Sequence, residues 1–252
     1  MSQPSRPSRP ETVYFFGTCL IDLFYPQAGL AGMELLRREG LRVVFPQNQS
    51  CCAQPARNSG YLDEARAVAR RQIETFVEDW PIVVPSGSCA GMMRTHYPAL
   101  FEGQPDAERA RAFAGRVVEL TWFLVHVLDI RLADKGEPVT VTWHASCHAM
   151  REMGVRDEPK QLLRQLSGVT LVEAGHETEC CGFGGTFAVR HAEIAAAMVD
   201  DKVTSIARTG ASAVISGDCG CLMNITGAID KAGRPIVGRH IAEFLLERCH
   251  GA

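Results

Sequence analysis

The sequence lacks an apolar run long enough to cross a membrane, and it carries little net charge. Its most apolar long stretch is LTWFLVHVL, residues 120–128, whereas a membrane-spanning helix needs about 18 or more such residues. The formal net charge is only −3 in 252 residues, so nothing indicates binding to nucleic acid or to an anionic membrane. We therefore expect a cytoplasmic protein without a membrane span and without a nucleic-acid partner.

Several motifs that identify common ligand sites are also missing. No two cysteines have the C-x₂-C spacing of many zinc sites or the close runs of bacterial ferredoxins. The stretch GFGG, residues 182–185, lacks the lysine of a phosphate-binding loop and the spacing of the dinucleotide fingerprint. No Ser-His-Asp set or pair of catalytic carboxylates stands out. Whether the chain catalyses a reaction by itself therefore stays open.

The N-terminal stretch MSQPSRPSRP is polar and rich in proline, and it has no apolar segment of the kind found in a signal peptide. Such a composition cannot bury enough apolar surface to fold. We expect residues 1–11 to form a disordered tail, in which Arg6 and Arg9 are solvated.

Cysteine is abundant, with ten residues in the chain. In a reducing compartment, clustered cysteines indicate metal or redox chemistry more often than structural disulfides. The cysteines fall into two similar sets. Each set has one cysteine, then an adjacent pair, then a Ser-Gly-X-Cys sequence, and the members are Cys19, Cys51, Cys52 and Cys89 in the first set and Cys147, Cys180, Cys181 and Cys219 or Cys221 in the second.

The spacings of the two sets agree, which indicates a duplicated domain. There are 31 residues between Cys19 and Cys51 and 32 between Cys147 and Cys180. We predict a first repeat over residues 12–104, a connecting helix over 105–137, and a second repeat with a C-terminal helix over 138–252. The connecting helix is predicted from an apolar stripe at helical spacing, which consists of Phe113, Val117, Leu120, Leu124 and Val127.

Within each repeat, short apolar runs alternate with helical patterns, which predicts an α/β fold with a short parallel sheet flanked by helices. The predicted strands are Val13–Phe16, Val43–Phe45 and Ile82–Val84, then Val139–Trp143, Thr170–Val172 and Ala213–Ile215. The helix between the last two strands of the first repeat is expected to begin at a cap provided by Asn58 or Ser59, and its counterpart in the second repeat to end at Gly210. The last helix is predicted over GRHIAEFLLERCH, residues 238–250. Each cysteine group follows a strand, and ligands bind at the carboxyl ends of strands in open α/β sheets. We therefore expect the four cysteines of each repeat to converge in space.

Four thiolates are soft ligands that select zinc, copper(I) or an iron–sulfur cluster. Gly182, Gly184 and Gly185 follow the second cysteine pair and would let the backbone approach a cofactor and point N–H groups at sulfur. The alternative is that these glycines serve only a tight turn between a strand and a helix.

The duplicated cysteine pattern resembles the cysteine-rich CCG domains of heterodisulfide reductase and of the glycolate oxidase iron–sulfur subunit. The stretches CCAQPARNSGY, PSGSCAGM, DEPKQLL and CCGFGGTFAVR resemble the lactate utilization protein A family most closely. The resemblance covers about residues 12–247. It implies an iron–sulfur protein, of 4Fe–4S type with one or two clusters, that transfers electrons in the oxidation of L-lactate to pyruvate together with a second iron–sulfur subunit and a third subunit.

By the same resemblance, the metal ligands are Cys19, Cys51, Cys52 and Cys89, then Cys147, Cys180, Cys181 and Cys221. Two departures matter. Ala53 stands where the motif has glycine, and the internal repeat favours Cys219 where the family ending favours Cys221. If only one repeat holds a cluster, we expect it at Cys180 and Cys181, since that repeat keeps the glycine.

Two other functions remain open. The chain could be a thiol–disulfide or zinc-thiolate protein without a redox cluster, or a scaffold in which one repeat has lost its cluster. Of the remaining residues, Cys249 is expected to be a free thiol on the apolar side of the last helix, and His148 is the histidine best placed to exchange protons beside a cluster.

Overall fold

Two parallel four-stranded sheets form the framework of residues 8–250, the part of the chain that the structure, a computed structural model, describes. The strands of the first sheet are β1 (Thr12–Phe15), β2 (Arg42–Val44), β3 (Ile82–Val84) and β4 (Val117–Glu119), in the order β2-β1-β3-β4. Those of the second are β5 (Val139–His144), β6 (Val169–Val172), β7 (Ala213–Ser216) and β8 (Val237–His240), in the order β6-β5-β7-β8. The predicted α/β fold with two similar repeats is confirmed.

Helices connect the strands of each sheet. In the first repeat they are α1 (Cys19–Phe24), α2 (Pro26–Arg38), α3 (Gln54–Asn58), α4 (Leu62–Thr75), α5 (Gly87–Gly91), α6 (Tyr97–Leu100), α7 (Ala107–Arg116) and α8 (Leu120–Phe123). Short π-helical turns at Met92–His96 and Leu124–Leu128 extend α5 and α8. The second repeat has α9 (Cys147–Glu152), α10 (Glu158–Arg164), α11 (Phe187–Arg190), α12 (Ala192–Arg208), α13 (Cys219–Lys231) and α14 (Ile241–His250).

The fourth strand of each sheet was not predicted, and the prediction of one connecting helix over residues 105–137 is wrong. Val117–Glu119 forms β4, whose residue Val117 pairs with Ile82 of β3. The apolar stripe fits a helix, but the three residues Val117–Glu119 instead form hydrogen bonds with β3. This tertiary pairing outweighs the helical spacing of the apolar residues. The first sheet therefore continues past residue 104. Likewise, Gly238–His240, predicted as the start of the last helix, belong to β8.

Two other local predictions are corrected by the structure. Arg9 forms an ion pair with Glu39, and the backbone N–H of Arg42 donates to the carbonyl of Glu11 at 2.9 Å. Residues 8–11 are therefore not a free tail, while residues 1–7 of the predicted tail, with Arg6, lie outside the described residues. Helix α4 begins after Tyr61 rather than at a cap provided by Asn58 or Ser59. In contrast, Gly210 ends α12 with a positive φ of 70°, as predicted.

One face of each sheet contributes to a single apolar core shared by the two repeats. Phe15 and Val83 of the first sheet belong to the same cluster as Trp143 and Ile215 of the second. Successive strand residues point to opposite faces, so Tyr14 and Ile82 lie in a separate cluster on the outer side of the first sheet. Burial on both faces explains the continuous apolar run Ile82–Val84 of the inner strand β3.

The helices pack across the repeats in matched pairs. Helix α1 follows the first strand of its repeat and contacts α13, while its counterpart α9 contacts α5, the counterpart of α13. Gly87 of α5 is so close to α9 that an added Cβ would lie 2.9 Å from the Cα of Ala149. This pseudo-two-fold packing turns the carboxyl ends of both sheets toward each other. Among residues 8–250, no helix combines the length and the apolar character that a bilayer crossing requires.

A buried carboxyl lies where the two repeats meet. Glu119, at the end of β4, is only 3% exposed and lines a small cleft with Trp143 and Gly217 of the second repeat. Its Oε2 accepts hydrogen bonds from the backbone N–H of Trp122 at 3.0 Å and from the hydroxyl of Thr121 at 2.5 Å. Burial raises the pKa of Glu119 from 4.5 to about 7 and outweighs these hydrogen bonds.

We predict that Glu119 makes the fold less stable as the pH rises. Since the pKa is higher in the folded state, the carboxyl stabilises the fold fully below pH 4.5, and this contribution is lost as the pH rises through about 7. Glu119→Gln should therefore gain stability relative to the wild type over this range, by roughly 3 kcal/mol at most. Urea unfolding at pH 5 and pH 8 measures the difference.

The exposed Glu64 of α4 offers a matched control, since Glu64→Gln removes the same charge at the surface. Its unfolding free energy should follow that of the wild type at both pH values. Parallel pH profiles for Glu119→Gln and the wild type would contradict the assignment of a raised pKa to this carboxyl.

Candidate metal centres

The cysteines of both sets lie in the segments that follow the parallel strands. Cys19 and Cys147 begin α1 and α9, just after the first strand of each sheet. The adjacent pairs lie in loops after β2 and β6, and the last cysteines lie in α5 and α13 after β3 and β7. Because parallel strands end at one edge of a sheet, segments far apart in sequence meet there, and the predicted convergence is confirmed.

In the first repeat, the four thiols form two close contacts. The Sγ atoms of Cys19 and Cys51 are 3.7 Å apart, and those of Cys52 and Cys89 are 3.3 Å apart. Cys52 and Cys89 are buried, whereas Cys19 and Cys51 are partly exposed. All four thiols are free. Each member of the adjacent pair thus meets a different distant cysteine, and the two thiols of the pair also interact with each other.

The second repeat has the same arrangement. The thiol of Cys180 interacts with those of Cys147 and Cys181, and the thiol of Cys181 interacts in turn with that of Cys221. The hydrogen bonds shift the thiol pKa values in the same alternating way in both repeats. Hydrogen bonds from Cys19 and Cys147 lower the pKa of Cys51 and Cys180, and these contacts raise the pKa of Cys19 and Cys147 in turn.

The two cysteines of the sequence DCGC occupy different positions. Cys221 contacts Cys181, whereas Cys219, the residue that matches Cys89 in the internal repeat, has no thiol hydrogen bond among those described. Cys219 is buried, which raises its pKa, and it lies near both Cys89 and Cys221. The geometry therefore places Cys221, and not Cys219, with Cys147, Cys180 and Cys181.

The backbone after each cysteine pair is left-handed. Gly182 has a φ of 85° and donates its N–H to the Sγ of Cys180 at 3.4 Å. Ala53 has a φ of 71° and donates its N–H to the Sγ of Cys51, also at 3.4 Å. The first repeat thus keeps the turn and the N–H···S contact although alanine replaces the glycine, so this departure from the motif does not disrupt its thiol geometry.

All nine candidate ligand cysteines line one cavity of about 350 Å³ between the repeats. Gly184 and Gly185 lie in its wall, as does His148. The sequence predicts two separate convergences but does not reveal that the two sets face each other. The arrangement offers two groups of soft sulfur donors, with nearby backbone N–H groups, and it fits two thiolate-bound metal centres.

Asp218 connects the two repeats beside this cavity. Its carboxylate is 3% exposed and accepts hydrogen bonds from the N–H of Ser88 at 2.8 Å and from the hydroxyl of Ser86 at 3.2 Å, both in the first repeat. It also accepts from Ser146 at 3.3 Å and caps α13 through the N–H of Gly220 at 3.2 Å. Ser88 occupies the equivalent position in the first repeat, so only the second repeat supplies this bridging charge.

Two further polar side chains lie close to the second set. Lys202 of α12 is 2% exposed, and its Nζ donates to the carbonyls of His176 and Glu177 in the loop before Cys180. His144, at the end of β5, is 1% exposed, and burial lowers its pKa to about 3. Sequence reasoning missed Lys202, although a lysine on the apolar side of α12, between Val199 and Val203, was a usable signal.

The remaining candidates lie elsewhere or have other partners. His148 pairs with Glu152 at 2.9 Å, and Glu152 also pairs with His96 of the first repeat at 3.0 Å. His176 pairs with the exposed Glu179 at 2.7 Å. Cys249 packs against the shared core on α14 and carries a free thiol, as predicted.

Comparison with known proteins identifies the class to which this site belongs. The model of the CCG family, described as a cysteine-rich domain, matches residues 13–94 and 141–226. Each match contains all the candidate ligand cysteines of one repeat. The fold and the site are thus those of a duplicated CCG cysteine-rich domain.

The particular family follows from closely similar sequences. Lactate utilization protein A of Geobacillus sp. (strain WCH70) is 46% identical over 239 residues, which are 94% of this chain and 99% of the relative. Lactate utilization protein A of Bacillus subtilis (strain 168) is 45% identical over 237 residues, with the same coverage. The chain therefore belongs to the lactate utilization protein A family, as the resemblance indicated.

A solved structure supports the fold alone. A hypothetical protein from Helicobacter pylori superposes with a TM-score of 0.67 at 9% identity. The match covers 100% of this chain and 52% of that chain, so this chain spans about half the length of the solved protein.

We predict that the turn after Cys181 requires glycine. In Gly182→Ala the new Cβ would lie 2.7 Å from the carbonyl oxygen of Ala195, and the φ of 85° is unfavourable for alanine. The substitution should destabilise the protein by roughly 1–3 kcal/mol, measured by thermal unfolding of the metal-free protein.

The control is Gly227→Ala, in the middle of α13. Gly227 is exposed, and an added Cβ there would have no neighbour within 4 Å. Alanine in a helix interior is more stable than glycine by roughly 0.5–1 kcal/mol, so this variant should unfold at a higher temperature. Equal stability of Gly182→Ala and the wild type would show that the turn is not constrained.

Proposed function

We propose that this chain is the iron–sulfur electron-transfer subunit of a complex that oxidises L-lactate to pyruvate. The observation that carries the proposal is the convergence of two four-cysteine sets on one cavity between the repeats. The name of the relatives, lactate utilization protein A, supports the lactate part of the proposal. In this function the chain is a redox subunit in the cytoplasm rather than a catalyst alone.

Each repeat would hold one cluster of the 4Fe–4S type. The ligands would be Cys19, Cys51, Cys52 and Cys89 in the first repeat, and Cys147, Cys180, Cys181 and Cys221 in the second. A bound cluster supplies one-electron transfer at a potential that depends on charge, hydrogen bonds and exposure. In the first repeat Met92 and in the second Asn224 stand where heterodisulfide reductase carries a further cysteine. Asn224 instead donates to the carbonyl of Cys181 at 2.7 Å.

The side chains and the backbone around the thiols would tune the two centres. The N–H groups of Ala53 and Gly182 donate to cysteine sulfur, which stabilises the more negative form of a thiolate-bound centre. Burial of Cys52, Cys181 and Cys221 keeps water away from the sulfur atoms. Gly184 and Gly185 contribute only backbone atoms to the cavity wall.

The two repeats differ in charge at one equivalent place. Lys202 supports the loop before Cys180, whereas the neutral Gln72 supports the loop before Cys51 by donating to the hydroxyl of Ser50 at 2.6 Å. Both side chains are buried. A cation near thiolates stabilises added negative charge, because Coulomb interactions are strong where water is excluded. The centre of the second repeat would therefore have the higher reduction potential of the two.

Partners would dock at the open side of the cavity. A second iron–sulfur subunit and a third subunit are the proposed partners. The apolar side chains of Val189, in the cavity wall, and Leu23, in the adjoining cleft, are 82% and 70% exposed. Exposed apolar side chains beside a redox site fit a surface that another subunit covers.

Iron and acid-labile sulfide in anaerobically reconstituted protein test the proposal. We expect roughly eight irons per chain for two 4Fe–4S clusters. Cys52→Ser and Cys181→Ser should each remove about half of the iron, because each removes a ligand from one repeat only. Cys249→Ser, outside both sets, should leave the iron content unchanged.

Other outcomes distinguish the alternatives. Folded protein that takes up stoichiometric zinc and no iron would overturn the iron–sulfur proposal in favour of a zinc-thiolate protein. Iron loss in Cys181→Ser but not in Cys52→Ser would show that the first repeat is a scaffold.

The charge difference between the repeats gives a second prediction. Lys202→Met keeps the length of the side chain and removes its charge, so the potential of the second centre should fall while that of the first stays unchanged. Redox titration followed by EPR measures both. Lys160→Met is the matched control, since it removes a lysine of α10 that is paired with Glu173 and Glu177. Equal shifts in the two variants would contradict a specific effect of Lys202.

A further inference from the structure

We propose that the imidazole of His144 is an additional ligand of the metal centre in the second repeat, an inference that rests on the proposed function. Nitrogen ligation would make this centre chemically different from that of the first repeat.

The first observation is that His144 lacks any hydrogen-bond partner. Its side chain is 1% exposed, and neither Nδ1 nor Nε2 has a partner among residues 8–250. A neutral imidazole has one N–H donor and one lone pair, and each buried group left without a partner destabilises the fold. A bound metal would take the lone pair of one ring nitrogen and so give that nitrogen a partner.

Among residues 8–250, the other buried or partly buried histidines do not share this property. Each has a polar partner at hydrogen-bond distance, and these pairs are His96 and His148 with Glu152, His126 with Glu158, and His240 with the carbonyl of Pro85. The absence of a partner is therefore a particular feature of His144 and not of this class of residue in the fold.

The second observation is geometric. A ring nitrogen of His144 and the Sγ atoms of Cys181 and Cys221 all lie within 4.8 Å of one another. Typical metal–sulfur and metal–nitrogen bonds of about 2.3 and 2.0 Å place tetrahedral ligand atoms roughly 3.5–4 Å apart. The ring nitrogen of His144 therefore lies within reach of a centre bound by Cys181 and Cys221.

The third observation is the contrast between the repeats. His144 precedes Cys147 by three residues, and Phe16 precedes Cys19 by three residues. Phe16 is fully buried in the outer core of the first sheet and offers no ligand atom. At this position only the second repeat therefore offers a nitrogen ligand, so the two centres would differ in their sets of ligand atoms.

Pulsed EPR tests this ligand directly. The sample is the reduced, reconstituted Cys52→Ser protein, in which only the second centre is observed. It is produced in cells supplied with natural or ¹⁵N-labelled histidine. We expect a nitrogen coupling of the strength typical of a directly bound imidazole, which changes on labelling. Because the labelling compares protein of one sequence, the result does not depend on whether a His144 variant folds.

Two variants locate the nitrogen. His144→Phe, which copies the first repeat, should abolish the coupling. Thr142→Val should keep it, since Thr142 lies on the same side of β5, also carries an unpartnered buried atom, and offers no nitrogen.

The outcomes separate the two proposals. A centre with its full iron content but no histidine coupling, or only a weak through-space coupling, overturns the ligand role and leaves the iron–sulfur function standing. A coupling that survives in His144→Phe also overturns it. Failure to bind iron in the wild-type protein overturns the iron–sulfur function itself, and the ligand role with it.

Discussion

The shared apolar core between the two sheets determines where every cysteine of the two sets can lie. Phe15 and Val83 of one sheet pack in the same cluster as Trp143 and Ile215 of the other. Because parallel strands all end at one edge, this packing turns two cysteine-bearing edges toward a common cavity. Neither repeat alone could enclose that space, so the duplication of the domain is a structural requirement of the site.

Polar contacts across the interface then hold the two edges in place. Asp218 accepts hydrogen bonds from both repeats, and the imidazole of His240 contacts the carbonyl of Pro85 at 2.9 Å. These groups are buried beside the thiols, where an unpartnered charge would be costly and a satisfied one restricts geometry. The same low-dielectric surroundings increase the effect of Lys202 on nearby sulfur. Two repeats with matching thiol contacts therefore differ in the charged groups that lie beside their thiols.

The sequence predicted those features of the fold that depend on short-range patterns of residues. Apolar runs of β-branched residues marked six strands, and glycine at position 210 marked the end of a helix. The pattern failed at Val117–Glu119, where helical spacing continues through a segment that pairs with β3. It also gave no indication that Ala53 would adopt the left-handed turn of Gly182, because the surrounding fold imposes a conformation that alanine alone disfavours.

The sequence by itself determined the duplication, the α/β class and the identity of the nine candidate cysteines, since spacing and residue type are properties of the chain. The tertiary structure decided which sulfur atoms meet, and it placed Cys221 rather than Cys219 beside Cys181. It also decided that both sets share one cavity and that His144 is buried without a partner among the described residues. Such facts depend on packing between segments far apart in sequence, and no local pattern records them.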